Sequence, residues 1–189
     1  HQQPTPVPSP TAVSPPPLTL TLTVYIIDDA SGTASSQRTE QEITTIVAQA
    51  NKIWEPAGIA VELQQTKRLE LPADLFAVIR QGDFDRFYQA AAAQTFDIRN
   101  DSLLTGFYIN PLFANGVAPP GRHAFFIADN PTVPVERVTA HEIGHILGLH
   151  HALDDTQKLM YSGTAGTTLT AAEIIVARYG AEGLINRVR

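Results

Sequence analysis

Alternation of apolar and polar residues is the main pattern along this chain. From position 18 to 26, leucine, valine and isoleucine alternate with threonine and tyrosine, which predicts a half-buried β-strand. Positions 59–63 repeat the alternation and predict a second strand. Apolar runs at 106–110 and 124–128 predict two more strands, and we expect Val117 and Ala118 to form a short edge strand between them.

A different periodicity separates the first two strands. Thr39 and Glu42 have the spacing of a capping box, which predicts the start of a helix. Pro56 and Gly58 are expected to end that helix. Its apolar residues recur at helical spacing and predict one buried face, formed by Ile43, Ile46, Val47, Ala50, Ile53 and Trp54.

Two further regions are predicted to be helical. Residues 72–95 are expected to form a helix in two pieces, separated at Gly82. Thr170 and Glu173 form a second capping box and predict a last helix, which Gly180 is expected to close. The order of strands and helices predicts an α+β fold.

The first 17 residues differ from the rest, because they hold seven of the 14 prolines in the chain. Proline fixes φ and lacks a backbone donor, so this segment is predicted to be an extended tail or linker. Residues 18–189 have the size of one domain.

Charge and composition exclude several classes of protein. Lysine and arginine number 13 against 19 aspartates and glutamates, giving a net charge of −6, which argues against a nucleic-acid partner. The chain has no cysteine, so no disulfide or zinc–thiolate site can form. No apolar run approaches the roughly 20 residues that a transmembrane helix needs.

The chemistry is concentrated between positions 141 and 151. His141 and His145 are four residues apart, so on a helix their rings share one face and can bind one ion. Gly148 can adopt the left-handed conformation that ends a helix, which would bring His151 back as a third ligand. Three protein nitrogens leave a fourth position for water, as a catalytic Zn²⁺ requires. His150 is the alternative third ligand.

This motif resembles that of the metzincin metallopeptidases. The match is complete from His141 to His151, and the chain's one methionine, Met160, follows it. The short connector and Leu159-Met160-Tyr161 look most like the matrixin-like members, although Ala152 stands where those usually have serine. The resemblance implies a twisted mixed sheet, an N-terminal helix, an active-site helix and a small C-terminal subdomain with a Met-turn and a terminal helix.

The resemblance also implies a secreted or cell-surface, monomeric zinc endopeptidase that acts on proteins or peptides. Glu142 would be the general base and Met160 would lie beneath the metal. An extended substrate would pair with an edge formed by Gly116, Val117 and Ala118, and Tyr161 would border the adjoining pocket. One catalytic Zn²⁺ is expected. No residue set for a structural Ca²⁺ is recognisable in the sequence.

Other interpretations of these residues stay open at this point. The chain could be a zinc-holding pseudoenzyme or binding module without peptidase activity, or a copper-chelating secreted protein that uses His1. His123 could line the cleft or be a structural histidine. Asp154 and Asp155 could orient a ligand histidine or form a solvated loop pair.

Overall fold

The computed structural model describes residues 16–94 and 103–187. Its centre is a five-stranded sheet with the order β2-β1-β3-β5-β4. The strands are β1 (Leu18–Asp29), β2 (Ile59–Leu71), β3 (Leu104–Ile109), β4 (Gly116–Val117) and β5 (Ala124–Ala128). All neighbours pair in parallel except β4, which runs antiparallel to β5. The predicted strands are therefore confirmed, with β1, β2 and β3 longer than expected.

Helices cover both faces of the sheet. They are α1 (Glu40–Trp54), α2 (Ala73–Arg80), α3 (Phe84–Gln94), α4 (Val135–Ile146) and α5 (Ala171–Arg187). One buried cluster joins the sheet to α1, α4 and α5, and a second joins the opposite face to α2 and α3. The α+β architecture expected from the sequence is thus confirmed.

The prediction that β1 is half-buried is wrong in the middle of the strand, where helices α2 and α3 pack against its second face. Threonine and tyrosine in this strand were expected to face solvent, but Thr23 and Tyr25 are 1% and 0% exposed. Tyr25 packs in the cluster that contains Phe87 of α3, and its ring stacks on Phe107 at 5.7 Å between centroids. Residues 22–27 of the strand are buried on both faces, because α2 and α3 cover the face that carries Tyr25 and Ile27, whereas Thr19 stays exposed.

The first helix forms as predicted. Thr39 is its N-cap, and the Thr39 and Glu42 side chains each bond the other's backbone N–H, as a capping box requires. The helix ends in a short 3₁₀ turn at Glu55–Ala57, where Gly58 adopts a left-handed φ of 62°. Trp54 is fully buried, which confirms its place in the core.

Gly180 does not close the last helix. Helix α5 continues through it to Arg187. A Cβ at Gly180 would overlap the carbonyl oxygen of Leu147 and lie 2.8 Å from its carbonyl carbon. Glycine at this position therefore allows α5 to approach the end of α4 closely, which is a packing role rather than a terminating one.

The Pro-rich segment and the His1 copper hypothesis lie largely outside the described residues. At the end of that segment Pro16 and Pro17 are exposed, and the Arg178 guanidinium donates to the Pro16 carbonyl at 2.9 Å. In residues 16–94 and 103–187, no helix has the length and apolar character needed to cross a membrane.

Candidate metal centre

Helix α4 and the turn after it bring three histidines together. His141 and His145 lie one turn apart on α4, and Gly148 has the positive φ of 91° that lets the chain reverse. His151 returns to the helix, and ring centroids are separated by 4.7 Å for His141 and His145 and by 4.6 Å for His145 and His151. One ligand atom from each ring lies within 4.8 Å of the other two.

Backbone carbonyls orient two of these rings. Nδ1–H of His141 donates to the Leu159 carbonyl at 2.7 Å, and Nδ1–H of His145 donates to the Leu149 carbonyl at 2.9 Å. A neutral imidazole with its proton on Nδ1 carries a free lone pair on Nε2. Both rings are therefore held in the tautomer that can bind a metal through Nε2.

The donor set fits a zinc ion. The Nε2 atoms of His145 and His151 are 3.1 Å apart, and tetrahedral Zn–N bonds of about 2.0–2.1 Å imply an N–N separation of about 3.3 Å. Two lone pairs at this distance repel each other unless a proton or a cation lies between them. Burial lowers the pKa of His141 to about 4 and also lowers that of His145, so at neutral pH both are uncharged.

Glu142 follows His141 on helix α4 and lies against the edge strand. Burial raises the pKa of its carboxyl to about 8, and the Arg137 charge and a hydrogen bond from the Ala118 backbone offset this only in part. A Cβ at Gly116 would lie 2.7 Å from Oε1 of Glu142. Glycine at 116 thus lets β4 lie directly against this carboxyl.

Met160 packs beneath helix α4. The side chain is fully buried, and a Cβ at Gly144 would lie 2.7 Å from its sulfur. The Met160 carbonyl accepts the Ala152 backbone N–H at 2.9 Å, which ties this turn to the chain just after His151. Gly144 was not singled out from the sequence, and its role is to leave room for the methionine.

The remaining candidates surround this centre to different extents. Gly116 and Val117 form β4, Ala118 follows at its end, and half-buried Tyr161 pairs with Ala152 across a short bridge. His150 is exposed. His123 lines a cleft of about 160 Å³ that residues 118–122, His145 and Ile146 also border.

Neither aspartate of the following loop orients a ligand histidine. Asp154 pairs with Lys158 at 2.8 Å, and Asp155 accepts the Gln157 backbone N–H at 2.8 Å. The solvated-loop interpretation of this pair is the correct one, and the carbonyls of Leu149 and Leu159 do the orienting instead.

Sequence reasoning missed Arg137, which lies one turn before His141. It is 3% exposed, and its guanidinium donates to the carbonyls of Leu159, Tyr161 and Gly166. The available signal was a charged residue four positions before His141, on the face of α4 that carries the ligands. A charged side chain on such a buried face requires partners.

The site thus combines a histidine pair on a helix, a third histidine after a glycine turn and a buried methionine, and its three histidines could bind one metal ion. The sequence model of the Matrixin family matches residues 25–172. The chain therefore belongs to the matrixin family of metallopeptidases. No curated protein matches the chain at significant sequence similarity.

Solved structures show the same fold at low sequence identity. Archaemetzincin from Methanopyrus kandleri matches with a TM-score of 0.59 and 14% identity, over 88% of this chain and 96% of that one. A chain in a structure of a chaperone–substrate complex matches with a TM-score of 0.63 and 12% identity, over 89% of this chain. This protein spans 34% of the length of that second chain.

Proposed function

We propose that this protein is a zinc-dependent endopeptidase that hydrolyses extended segments of proteins or peptides. The observation that carries the proposal is the convergence of three imidazoles, together with a buried carboxyl on the residue after His141: Glu142 lies against the edge strand and accepts a hydrogen bond from the Ala118 backbone. A site that only stored a metal would not need a buried carboxyl next to it, because burying that group costs free energy.

The histidines and Glu142 divide the chemistry between them. His141, His145 and His151 would hold the ion through Nε2, and when bound it supplies a Lewis acid that acidifies water and polarises a carbonyl. In its deprotonated form, the Glu142 carboxyl accepts a proton from the attacking water and delivers it to the departing amine. The Ala118 N–H holds the carboxylate in place during both transfers.

The substrate is proposed to bind as an added strand. β4 is the last strand in the sheet order, so one of its edges has no strand partner within the described part of the chain. An extended peptide can pair with Gly116, Val117 and Ala118 through backbone hydrogen bonds. Tyr161, which follows Met160, is proposed to border the pocket for the side chain beyond the scissile bond.

Digestion of a diverse peptide mixture tests the proposal. We expect cleavage within peptides, loss of cleavage with a chelator and recovery with Zn²⁺. Glu142→Gln should lower kcat by about 10²–10⁴-fold while zinc content is unchanged. Glu136→Gln, in the first turn of the same helix, is the matched control and should keep wild-type activity.

The outcomes separate this function from the alternative of a zinc-holding binding module. Zinc bound at one equivalent with no cleavage of any peptide would favour the binding module. Cleavage that survives in Glu142→Gln would rule out the role of this carboxylate. Peptides N-methylated at single backbone positions test strand addition, because each lost N–H should slow cleavage only where it pairs with β4.

A further inference from the structure

Arg137 holds the segment that passes beneath the metal centre. Its Nε donates to the Gly166 carbonyl at 3.1 Å, and its Nη2 donates to the Leu159 carbonyl at 2.5 Å and to the Tyr161 carbonyl. The segment 152–168 contains no helix and pairs only through isolated bridges. A single side chain from α4 therefore satisfies three backbone carbonyls of an irregular segment.

One of these carbonyls is shared with a proposed zinc ligand. The Leu159 oxygen accepts both the Arg137 guanidinium and Nδ1–H of His141. A carbonyl has two lone pairs, so it can accept both donors at once. The Leu159 oxygen holds the Nδ1 proton of His141 and thereby its tautomer, and Arg137 is a second side chain that donates to it.

Burying the charged guanidinium of Arg137 costs free energy, and a packing role alone would not require this charge. No carboxylate lies within ion-pair distance of its guanidinium among residues 16–94 and 103–187, and Glu142 attracts it only at longer range. An apolar side chain of similar length would fill the same space without burying a charge. The three carbonyl contacts are what the guanidinium adds.

We propose that Arg137 is a positioning residue for the metal centre: by holding the Leu159 carbonyl it presents His141 to the ion in a single tautomer, and by holding Tyr161 it keeps the segment after Met160 against α4. This inference rests on the proposed role of His141 as a zinc ligand. Arg137 itself touches neither the ion nor the substrate.

Arg178 provides a matched control. It also binds backbone carbonyls, with donation to Ala57 at 2.8 Å and to Pro16 at 2.9 Å, but these lie at the far end of α1 and at the start of β1. If Arg137 only fastens one part of the chain to another, Arg137→Met and Arg178→Met should lower stability and leave zinc affinity equally unaffected.

Zinc affinity and the His141 tautomer are the measurements that test the proposal. Affinity is measured by competition with a chromophoric chelator, and the tautomer by ¹⁵N chemical shifts of the metal-free protein. We expect Arg137→Met to weaken zinc binding by about 10- to 100-fold and to mix the two tautomers of His141. Arg178→Met should stay within about twofold of wild type in affinity.

The outcomes distinguish this proposal from the proposed function. Wild-type affinity and one His141 tautomer in folded Arg137→Met would overturn the positioning role, whereas a wild-type protein that binds no zinc would overturn the proposed function instead. If Arg137→Met does not fold, Arg137→Lys decides: it keeps the charge but loses the fork of donors, and we expect weakened binding. If neither variant folds, the rotation rate of the Arg137 Nη groups is measured in the wild-type protein by NMR. Rotation as fast as that of the exposed Arg86 would contradict the proposal.

Discussion

Gly180 and Gly183 lie three residues apart on α5 and are predicted to respond in opposite directions to substitution by alanine. A Cβ at Gly180 would lie 2.8 Å from the Leu147 carbonyl carbon and 3.0 Å from its Cα, whereas a Cβ at Gly183 meets nothing within 4 Å. Carbon atoms pack best at about 3.5–4.0 Å, so α5 would have to retreat by about 1 Å in Gly180→Ala. Backbone atoms cannot rotate away as a side chain would.

The magnitudes follow from two opposing effects. Overpacking costs about 1–3 kcal/mol, and contact with backbone favours the upper half of that range. Replacing glycine by alanine inside a helix contributes about 0.5–1 kcal/mol in the other direction. We therefore expect Gly180→Ala to lower the free energy of unfolding by about 1–2.5 kcal/mol, and Gly183→Ala to raise it by about 0.5–1 kcal/mol.

Urea unfolding followed by the fluorescence of Trp54 measures both variants, because this single tryptophan is fully buried. In thermal unfolding, each kcal/mol corresponds to about 2–4 °C for a chain of this size. Equal stabilisation of both variants would refute the close approach of α5 to Leu147. Because Leu147 precedes the Gly148 turn, Gly180→Ala should also weaken zinc binding, and Gly183→Ala should not.

Two further predictions concern metal and pH. Zn²⁺ at 100 times its Kd should raise the free energy of unfolding by about 2.7 kcal/mol, and His151→Ala should largely remove this effect. Hydrogen bonds from Ser31, then Thr33 and Ala34, lower the pKa of Asp29 from 3.8 to about 2, so the stability it contributes is present above pH 3.8 and lost as pH falls towards 2. Urea midpoints between pH 7 and pH 2 should therefore fall more steeply for wild type than for Asp29→Asn.

Each of these predictions has its own control. His150→Ala removes the exposed histidine next to His151 and should retain the full zinc-dependent rise in the free energy of unfolding. A rise abolished by His150→Ala and retained by His151→Ala would reverse the assignment of the third ligand. For Asp29, identical pH dependence of wild type and Asp29→Asn would show that its hydrogen bonds do not contribute to stability.

The sequence predicted the parts of the site that depend on local spacing. His141 and His145 share a helix face because they are four residues apart, and Gly148 turns the chain because glycine tolerates positive φ. These relations hold within about ten residues, so they are readable without a fold. The chain order of strands and helices likewise follows from local periodicity and capping.

What the sequence did not predict depends on residues distant along the chain. Tyr25 is buried because α2 and α3 cover it, and nothing within β1 reveals that layer. Glycine is typical of helix ends, so Gly180 was expected to close α5. It instead makes room for Leu147, which lies more than thirty residues earlier in the chain. Packing between elements decided both cases.

The orientation of the ligands was hidden for a different reason. Backbone carbonyls at Leu149 and Leu159 accept the Nδ1 protons of His145 and His141, and every residue in a chain has a carbonyl. Carboxylates at 154 and 155 were the visible candidates because side-chain chemistry is all that a sequence displays. Only the folded backbone shows which oxygen lies against which ring.

X-ray absorption at the zinc edge of the metal-loaded protein tests the central claim most directly. The account predicts one zinc per chain with three imidazole nitrogens at about 2.0–2.1 Å and one exchangeable oxygen, and loss of one nitrogen in His151→Ala. A shell with a fourth side-chain ligand, or an unchanged shell in His151→Ala, would contradict it.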